Sequence, residues 1–272
     1  METFTDQKSN CVLFSLYYNG SDTNKLVIDF YINLLNQFFK NFDVYIGVNG
    51  IVDEWLFDKI KQYRYEEVQQ NIRINSDSCG FITALKILKK SNIKYSSCYF
   101  FHTKGSSHKN FESSEQYRNL VLTDFCLNIN KHEKLFMDNP MVGIIGHEPS
   151  VFSVYDHISS SLKIKKDLKL SYQPIGFFYC GTHYIMRGDI VHDFIHKISD
   201  GFFEKNIYEL CGFDRYFFEG VFKSIPEMCG YEPIIIRENE YKNGQDIQRN
   251  VFVKIENWKK NKEQYNPKIW YD

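Results

Sequence analysis

Ser97-Cys98-Tyr99-Phe100-Phe101-His102-Thr103-Lys104-Gly105-Ser106-Ser107-His108 is the stretch whose reading decides the fold. Its first half is a short apolar and aromatic run, the pattern of a buried strand. The run stops abruptly in a polar loop that carries a glycine. A helical pattern precedes it (Phe81 to Lys90) and another follows (Glu112 to Asn128). In an open α/β sheet, ligands bind in the crevice beyond the carboxyl ends of the strands. His102, Thr103 and Lys104 are therefore expected at such an end. They bring an imidazole, a hydroxyl and a fixed positive charge, a set that suits an anion such as a diphosphate. The same three residues also fit an ordinary solvated loop after a strand.

Working outward, 272 residues with 43% hydrophobic content are enough for one large α/β domain or two small ones. The 33 basic and 34 acidic residues nearly cancel. A general nucleic-acid binder, which needs a basic surface, is not expected. The stretch Met1 to Asn10 lacks the basic-then-apolar order of a signal peptide, and no run of 18 apolar residues occurs. Seven scattered cysteines (positions 11, 79, 98, 126, 180, 211 and 229) form no Cys-x-x-Cys pair and read as small core residues of a reducing compartment. The expectation is a cytoplasmic protein with no transmembrane segment and no nucleic-acid partner.

Strand and helix patterns alternate through the first hundred residues. Cys11 to Tyr18 reads as a strand, and a helix follows from Asn24, with Val27, Tyr31, Leu34, Leu35 and Phe38 at helical spacing. Asp43 to Val48 is a second strand, closed by Asn49-Gly50. Asp53 is a plausible cap for a helix reaching Tyr63. Glu67 to Ile74 is expected as a third strand. The alternation predicts a mostly parallel sheet, covered on both faces and joined by right-handed crossovers. No G-x-G-x-x-G follows the first strand and no G-x-x-x-x-G-K-[ST] occurs, so neither standard phosphate loop is present. Further on, Asn130 to Asp138, Gly188 to Ile198 and Tyr208 to Lys223 read as helices. Met141 to Ile145 reads as a strand, as does Ile175 to Met186, which Gly181 interrupts. No linker or internal repeat is visible, so the expected organisation is one domain over 1–230 with a C-terminal extension over 231–272.

Four blocks, in order, resemble a known family. His102-Thr103-Lys104-Gly105-Ser106, with Tyr117-Arg118-Asn119-Leu120 after it, is similar to the "HTK-S … W/Y-R" block of rhamnan-synthesis F-like glycosyltransferases. Gly143-Ile144-Ile145-Gly146-His147-Glu148 resembles that family's "G-h-h-G-P-E" strand and turn. Phe178 to Arg187 resembles "F-x-A-G-T-M-F-W-x-R", and Phe213-Asp214-Arg215-Tyr216-Phe217 resembles a later "E-R-x-F" helix. The likeness covers roughly residues 10 to 225. His147 stands where the family has Pro, His183-Tyr184 where it has Met-Phe, and Tyr117 where Trp is common.

The resemblance implies a GT-A-type, Rossmann-like fold with a nucleotide-binding half (about 1–105) and an acceptor-binding half (about 106–230). It implies sugar transfer, deoxyhexose and rhamnose in particular, from a UDP-, dTDP- or GDP-linked donor to a glycan acceptor in polysaccharide biosynthesis. The alternative is a non-catalytic module that binds a nucleotide sugar or glycan. GT-A enzymes commonly hold a divalent metal on an Asp-x-Asp motif, and this chain has His-Thr-Lys instead. Lys104 can supply the charge that the metal supplies elsewhere. Donor binding is thus expected to survive chelation, although Asp77 offers a carboxylate to Mg²⁺ or Mn²⁺ through the diphosphate.

Further candidates follow. Asn19 and Asp22 end the first strand, where GT-A enzymes hold base and ribose, and also fit a polar turn; Asn49, which closes the second strand, is a further donor-binding candidate. Gly80 is expected to open a helix whose N–H groups face a phosphate or ribose, or else to make a tight turn. Gly181, Thr182 and His183 break an apolar strand, as a sugar-lined wall or a bulge would. Arg187 pairs with phosphate or caps a strand end. His192 and His196 lie four residues apart on a helix without the H-E-x-x-H pattern and are not expected to hold metal. For an inverting transfer the resemblance implies Asp214 as the base, with Glu148 and His183 in reserve. Glu219 lies about 140° round the helix from Asp214 and does not share its face.

Overall fold

The computed structural model describes residues 8–68, 77–103, 122, 125–147, 151–153, 169, 177–179, 183–197, 222, 224–237 and 240–243. Strand β1 (Lys8–Tyr18) runs through the middle of the fold. Its alternating side chains divide between two cores, with Cys11 and Leu13 on one face and Val12, Phe14, Leu16 and Tyr18 on the other. A strand buried on both faces must be apolar almost without interruption, and that is what the sequence shows.

Helix α1 (Asp22–Phe38) follows, capped by the Ser21 hydroxyl, which accepts the Asn24 N–H at 3.3 Å. Strand β2 (Asp43–Gly50), helix α2 (Glu54–Ile60) and strand β3 (Arg64–Glu67) come next. Both helices cover the Val12–Phe14 face: Val27, Ile28 and Tyr31 from α1, and Leu56 and Ile60 from α2, belong to that core. Helix α3 (Asp77–Ser91) then leads to β4 (Tyr95–His102) and covers the opposite face with Phe81, Ile82, Leu85 and Leu88. Strand order explains the change of face. The chain builds β1, β2 and β3 outward in one direction and returns across β1 to place β4 on its other side. A right-handed crossover in the reverse direction must pass over the other face.

The second half adds α4 (Ile129–Asp138), β5 (Val142–His147), a separate antiparallel pair of β6 (Val151–Ser153) with β7 (Phe177–Tyr179), and then β8 (Tyr184–Arg187) and α5 (Gly188–Lys197). The short α6 (Ser224–Met228) and strands β9 (Glu232–Arg237) and β10 (Glu240–Asn243) follow. The central sheet has eight strands in the order β10-β9-β5-β8-β4-β1-β2-β3. With helices on both faces, the protein is α/β.

Four expectations change. The sheet is mixed rather than mostly parallel, because β8 runs antiparallel to both β4 and β5, and β10 to β9. The run expected as one strand from Ile175 to Met186 is two strands in different sheets. The third strand lies at Arg64–Glu67, earlier than expected, because α2 ends at Ile60 in a tight turn closed by the Tyr63 N–H on the Ile60 carbonyl. The sheet also passes the expected boundary at residue 230, since β9 pairs in parallel with β5. Cys11, Cys79, Cys98 and Cys126 are buried as expected, whereas Cys229 is exposed. The expected helices over Glu112 to Asn128 and Tyr208 to Lys223 lie mainly outside the described residues. Among the described residues no helix is long and apolar enough to cross a membrane.

Candidate functional site

Reversal of strand order between β1 and β4 creates a topological switch point, and in open α/β sheets the crevice opens at the carboxyl ends of the strands there. His102 is the last residue of β4, in register with Ser15 of β1. Thr103 extends the pairing by one step with mixed chemistry. Its N–H donates to the Ser15 carbonyl at 3.1 Å, and its hydroxyl accepts the Tyr17 N–H at 2.8 Å. A side-chain oxygen thus takes the place of a strand carbonyl and holds β1 and β4 together at the rim. His102 and Thr103 are both buried.

His183 immediately precedes β8 and is fully buried. Because β8 runs in reverse, it is the amino end of this strand that reaches the rim. The His183 ring lies 4.7 Å from that of His102, tilted by 43°, and 6.1 Å from Phe101. Its Nε2 is 3.0 Å from the Tyr31 hydroxyl, which α1 brings across the same face. Tyr31 was legible in the sequence merely as a core position. A buried tyrosine at an apolar helical position still needs a partner for its hydroxyl, and that requirement was the available signal.

On the β2 side, Asn49 is buried and pairs in register with Tyr17. Asn19 sits in a turn: its backbone N–H donates to Asn24 Oδ1 at 2.7 Å, and its own Oδ1 accepts the Ser21 N–H at 3.0 Å. Asp22 is exposed at the start of α1, 3.9 Å from Lys25 Nζ. The outer wall is aromatic, with Tyr18 and Trp55 rings 5.4 Å apart and Lys25 and Lys59 over the indole at 5.8 and 5.4 Å. Asp53 caps α2 by accepting the Leu56 N–H at 2.9 Å and also accepts the Tyr18 hydroxyl at 2.9 Å. These two hydrogen bonds, that from Leu56 foremost, hold the Asp53 carboxyl below its usual range. Burial and the hydrogen bond to Asp53 push the Tyr18 phenol up to about 12.

Two expected residues stand elsewhere. Helix α3 opens at Asp77, so Gly80 lies within its first turn and not at its start. A Cβ on Gly80 would meet Ser15 Oγ at 2.2 Å, and one on Gly47 would meet the Gly80 carbonyl oxygen at 1.9 Å. Gly80 is where α3 rests on the sheet, so close packing accounts for the glycine. Arg187 ends β8 at the opposite edge, in register with Ser97, about 16 Å along β4 from His102. Its Nη1 donates to the Phe136 carbonyl at 3.0 Å, and its Nε lies 3.4 Å from Asp189. It ties β8 to helix α4 and takes no part at the rim.

By topology Asp77 begins α3 at the carboxyl edge of the sheet. Lys104, Glu148, Gly181, Thr182 and Asp214 lie outside the described residues. Among the described residues no three or more His, Cys, Asp or Glu side chains form a group able to hold a metal ion. Rings of His192 and His196 lie 4.3 Å apart on α5, away from the rim. Fold and rim together define an open α/β sheet with a polar, imidazole-lined switch point. No protein-family model matches the chain, and no curated protein matches it.

Proposed function

We propose that the protein is a GT-A-type glycosyltransferase. It would move a deoxyhexose, rhamnose being the leading candidate, from a nucleotide-diphosphate donor to a glycan acceptor, with inversion, in the cytoplasm. One observation supports this reading above the others. Three of the four blocks that resemble the rhamnan-synthesis F-like enzymes are distant in sequence yet include β4, β5 and β8, which are neighbours in the sheet. Within those blocks, His102-Thr103 and Gly146, which match the pattern, and positions 147, 183 and 184, which depart from it, all lie toward one rim. That rim is the switch point where nucleotides bind in open α/β folds.

In this reading His102, Thr103 and the Lys104 that follows face the diphosphate, Asn19 and Asn49 flank the base and ribose, and Asp214 takes the proton of the acceptor hydroxyl. The test is a thermal-shift screen of UDP-, dTDP- and GDP-sugars, followed by donor turnover with and without acceptor glycans. A true donor raises the melting temperature by mass action. Lys104→Ala should weaken affinity for the nucleoside diphosphate about 10–100-fold, the range of a charge-assisted contact. Asp214→Asn should keep donor binding and lower transfer at least ~100-fold. A chain that no nucleotide sugar stabilises, or a Lys104→Ala protein with unchanged affinity, would refute the reading.

A further inference from the structure

We propose that a groove at the opposite edge of the sheet, between the turns that lead into β2 and β3, binds a small hydroxylated oxyanion: a sugar-sized molecule that carries a phosphate or a carboxylate. Helix α1 gives way to β2 through a turn in which the Phe42 N–H donates to the Phe39 carbonyl at 2.9 Å. Helix α2 gives way to β3 through the corresponding turn at Tyr63. Because β2 and β3 are parallel neighbours, the two turns lie side by side and leave a groove of about 320 Å³ between them. Small-molecule pockets span roughly 300–1,000 Å³, so this one suits a ligand of the smallest class. Its apolar wall includes Phe39 and Phe42. The groove stands at the amino end of β2, about 20 Å along the strand from Asn49, and is separate from the rim.

The polar groups that the fold leaves unspent in this groove are chiefly donors. Asn36 Oδ1 accepts the Tyr63 hydroxyl at 2.8 Å and Gln62 Nε2 at 3.4 Å, which leaves the Asn36 amide nitrogen to donate elsewhere. Arg64 lies over the Tyr45 ring, 5.4 Å from its centroid, and its Nη1 donates to the Tyr45 hydroxyl at 3.0 Å. That hydroxyl is 2.6 Å from Tyr95 Oη, which in turn donates to Asp43 Oδ2 at 2.6 Å. A chain of hydrogen bonds rooted in the sheet thus fixes one side of the guanidinium, while its other N–H groups have no acceptor among the described residues. Lys40, exposed on the facing turn, has no ion pair or hydrogen bond among the described residues. Two cations therefore line the groove against one carboxylate, Asp43, which is already engaged by Tyr95. A planar, pre-positioned guanidinium matches the paired oxygens of a phosphate or carboxylate. Lys40 also complements the negative end of α1, but that role explains neither Arg64 nor the spare amide beside it. The Asn36 amide and the Gln62 side-chain oxygen suit hydroxyl groups on the body of the ligand. Occupancy of this groove does not depend on sugar transfer at the rim.

The experiment is isothermal titration calorimetry of the full chain with glucose 6-phosphate, glucuronate, glucose and inorganic phosphate. At least one of the two sugar oxyanions should bind at one site per chain, more tightly than glucose or inorganic phosphate, and comparing the two shows which headgroup is preferred. Arg64→Gln and Lys40→Gln should each weaken binding about 10–100-fold, the range of a charge-assisted contact. Lys40→Gln breaks no contact among the described residues, so it remains decisive if Arg64→Gln, which loses the bond to Tyr45, fails to fold. Lys61→Gln removes the same charge outside the groove, where Lys61 pairs with Asp58 at 2.8 Å, and should bind as the wild type does. The inference is overturned if neither sugar oxyanion binds, if inorganic phosphate binds as tightly as they do, if Lys40→Gln keeps wild-type affinity, or if Lys61→Gln weakens binding as much as Lys40→Gln.

Discussion

Replacing Thr103 by valine tests whether the rim is held by the hydrogen bond through its hydroxyl. Valine has nearly the shape of threonine, so the change removes an acceptor and leaves little cavity. The Tyr17 N–H, which donates to that oxygen at 2.8 Å, then faces a methyl group. Leaving such a donor unmet costs about 1–3 kcal/mol, more than the net value of an average hydrogen bond. Thr103→Ser keeps the oxygen and loses one methyl, worth about 0.8 kcal/mol. The stability order from urea unfolding should be wild type, then serine, then valine. Hydrophobicity alone gives the opposite order for the two variants, because residue 103 is buried and valine is the more apolar. A valine variant as stable as the wild type, with serine the weaker, would refute the account. On the proposed sugar-transfer reading, the thermal shift with nucleoside diphosphate should fall as well in the valine variant, because the hydrogen bond that links β1 to residue 103 is lost.

Two further tests probe the packing that supports the rim. Gly80→Ala should destabilise by about 1–3 kcal/mol through overpacking against Ser15, despite the roughly 1 kcal/mol that alanine gains in a helix, and Gly47→Ala should cost more because its new Cβ meets backbone; a more stable Gly80→Ala protein in thermal unfolding would show that α3 does not lie this close. His132 on α4 is fully buried, and burial lowers its pKa from 6.5 to about 3. A depressed imidazole contributes fully above pH 6.5, and its contribution falls as the unfolded chain takes up the proton between pH 6.5 and about 3. From pH 7.5 to 5.0 the wild type should therefore lose about 2 kcal/mol relative to His132→Leu, at 1.36 kcal/mol per pH unit below 6.5. Urea midpoints at the two pH values would show it, and a gap between the two proteins that does not change with pH would contradict the assignment.

Local signals carried most of the first half. Continuous apolar runs placed β1, β2 and β4, and the Asp53 cap placed the start of α2, because each depends on residues within one turn or one strand. The rim at His102-Thr103 was legible for the same reason: a buried strand that ends abruptly must expose its next residues at an edge. The role of Gly80 was not legible. Its reason is a carbonyl and a hydroxyl on two other strands, and no local pattern reports them. Tyr31 was hidden in the same way, since its hydroxyl is satisfied 152 residues away.

Strand direction accounts for the rest, and one inversion explains both a residue at the rim and one far from it. His183 and Arg187 lie four residues apart and were read as parts of the same site. Had β8 run parallel to β4, its carboxyl end would have reached the rim, bringing Arg187 there and leaving His183 at the opposite edge. The strand runs in reverse, so the pair is exchanged. Period-2 alternation gives the face of each side chain but is blind to direction. Direction is set by the route of the preceding connection, and here that route passes through β6 and β7 before the chain enters between β4 and β5. The inversion thus gives the rim an imidazole beside His102 and sends the guanidinium to the opposite edge, where it serves packing.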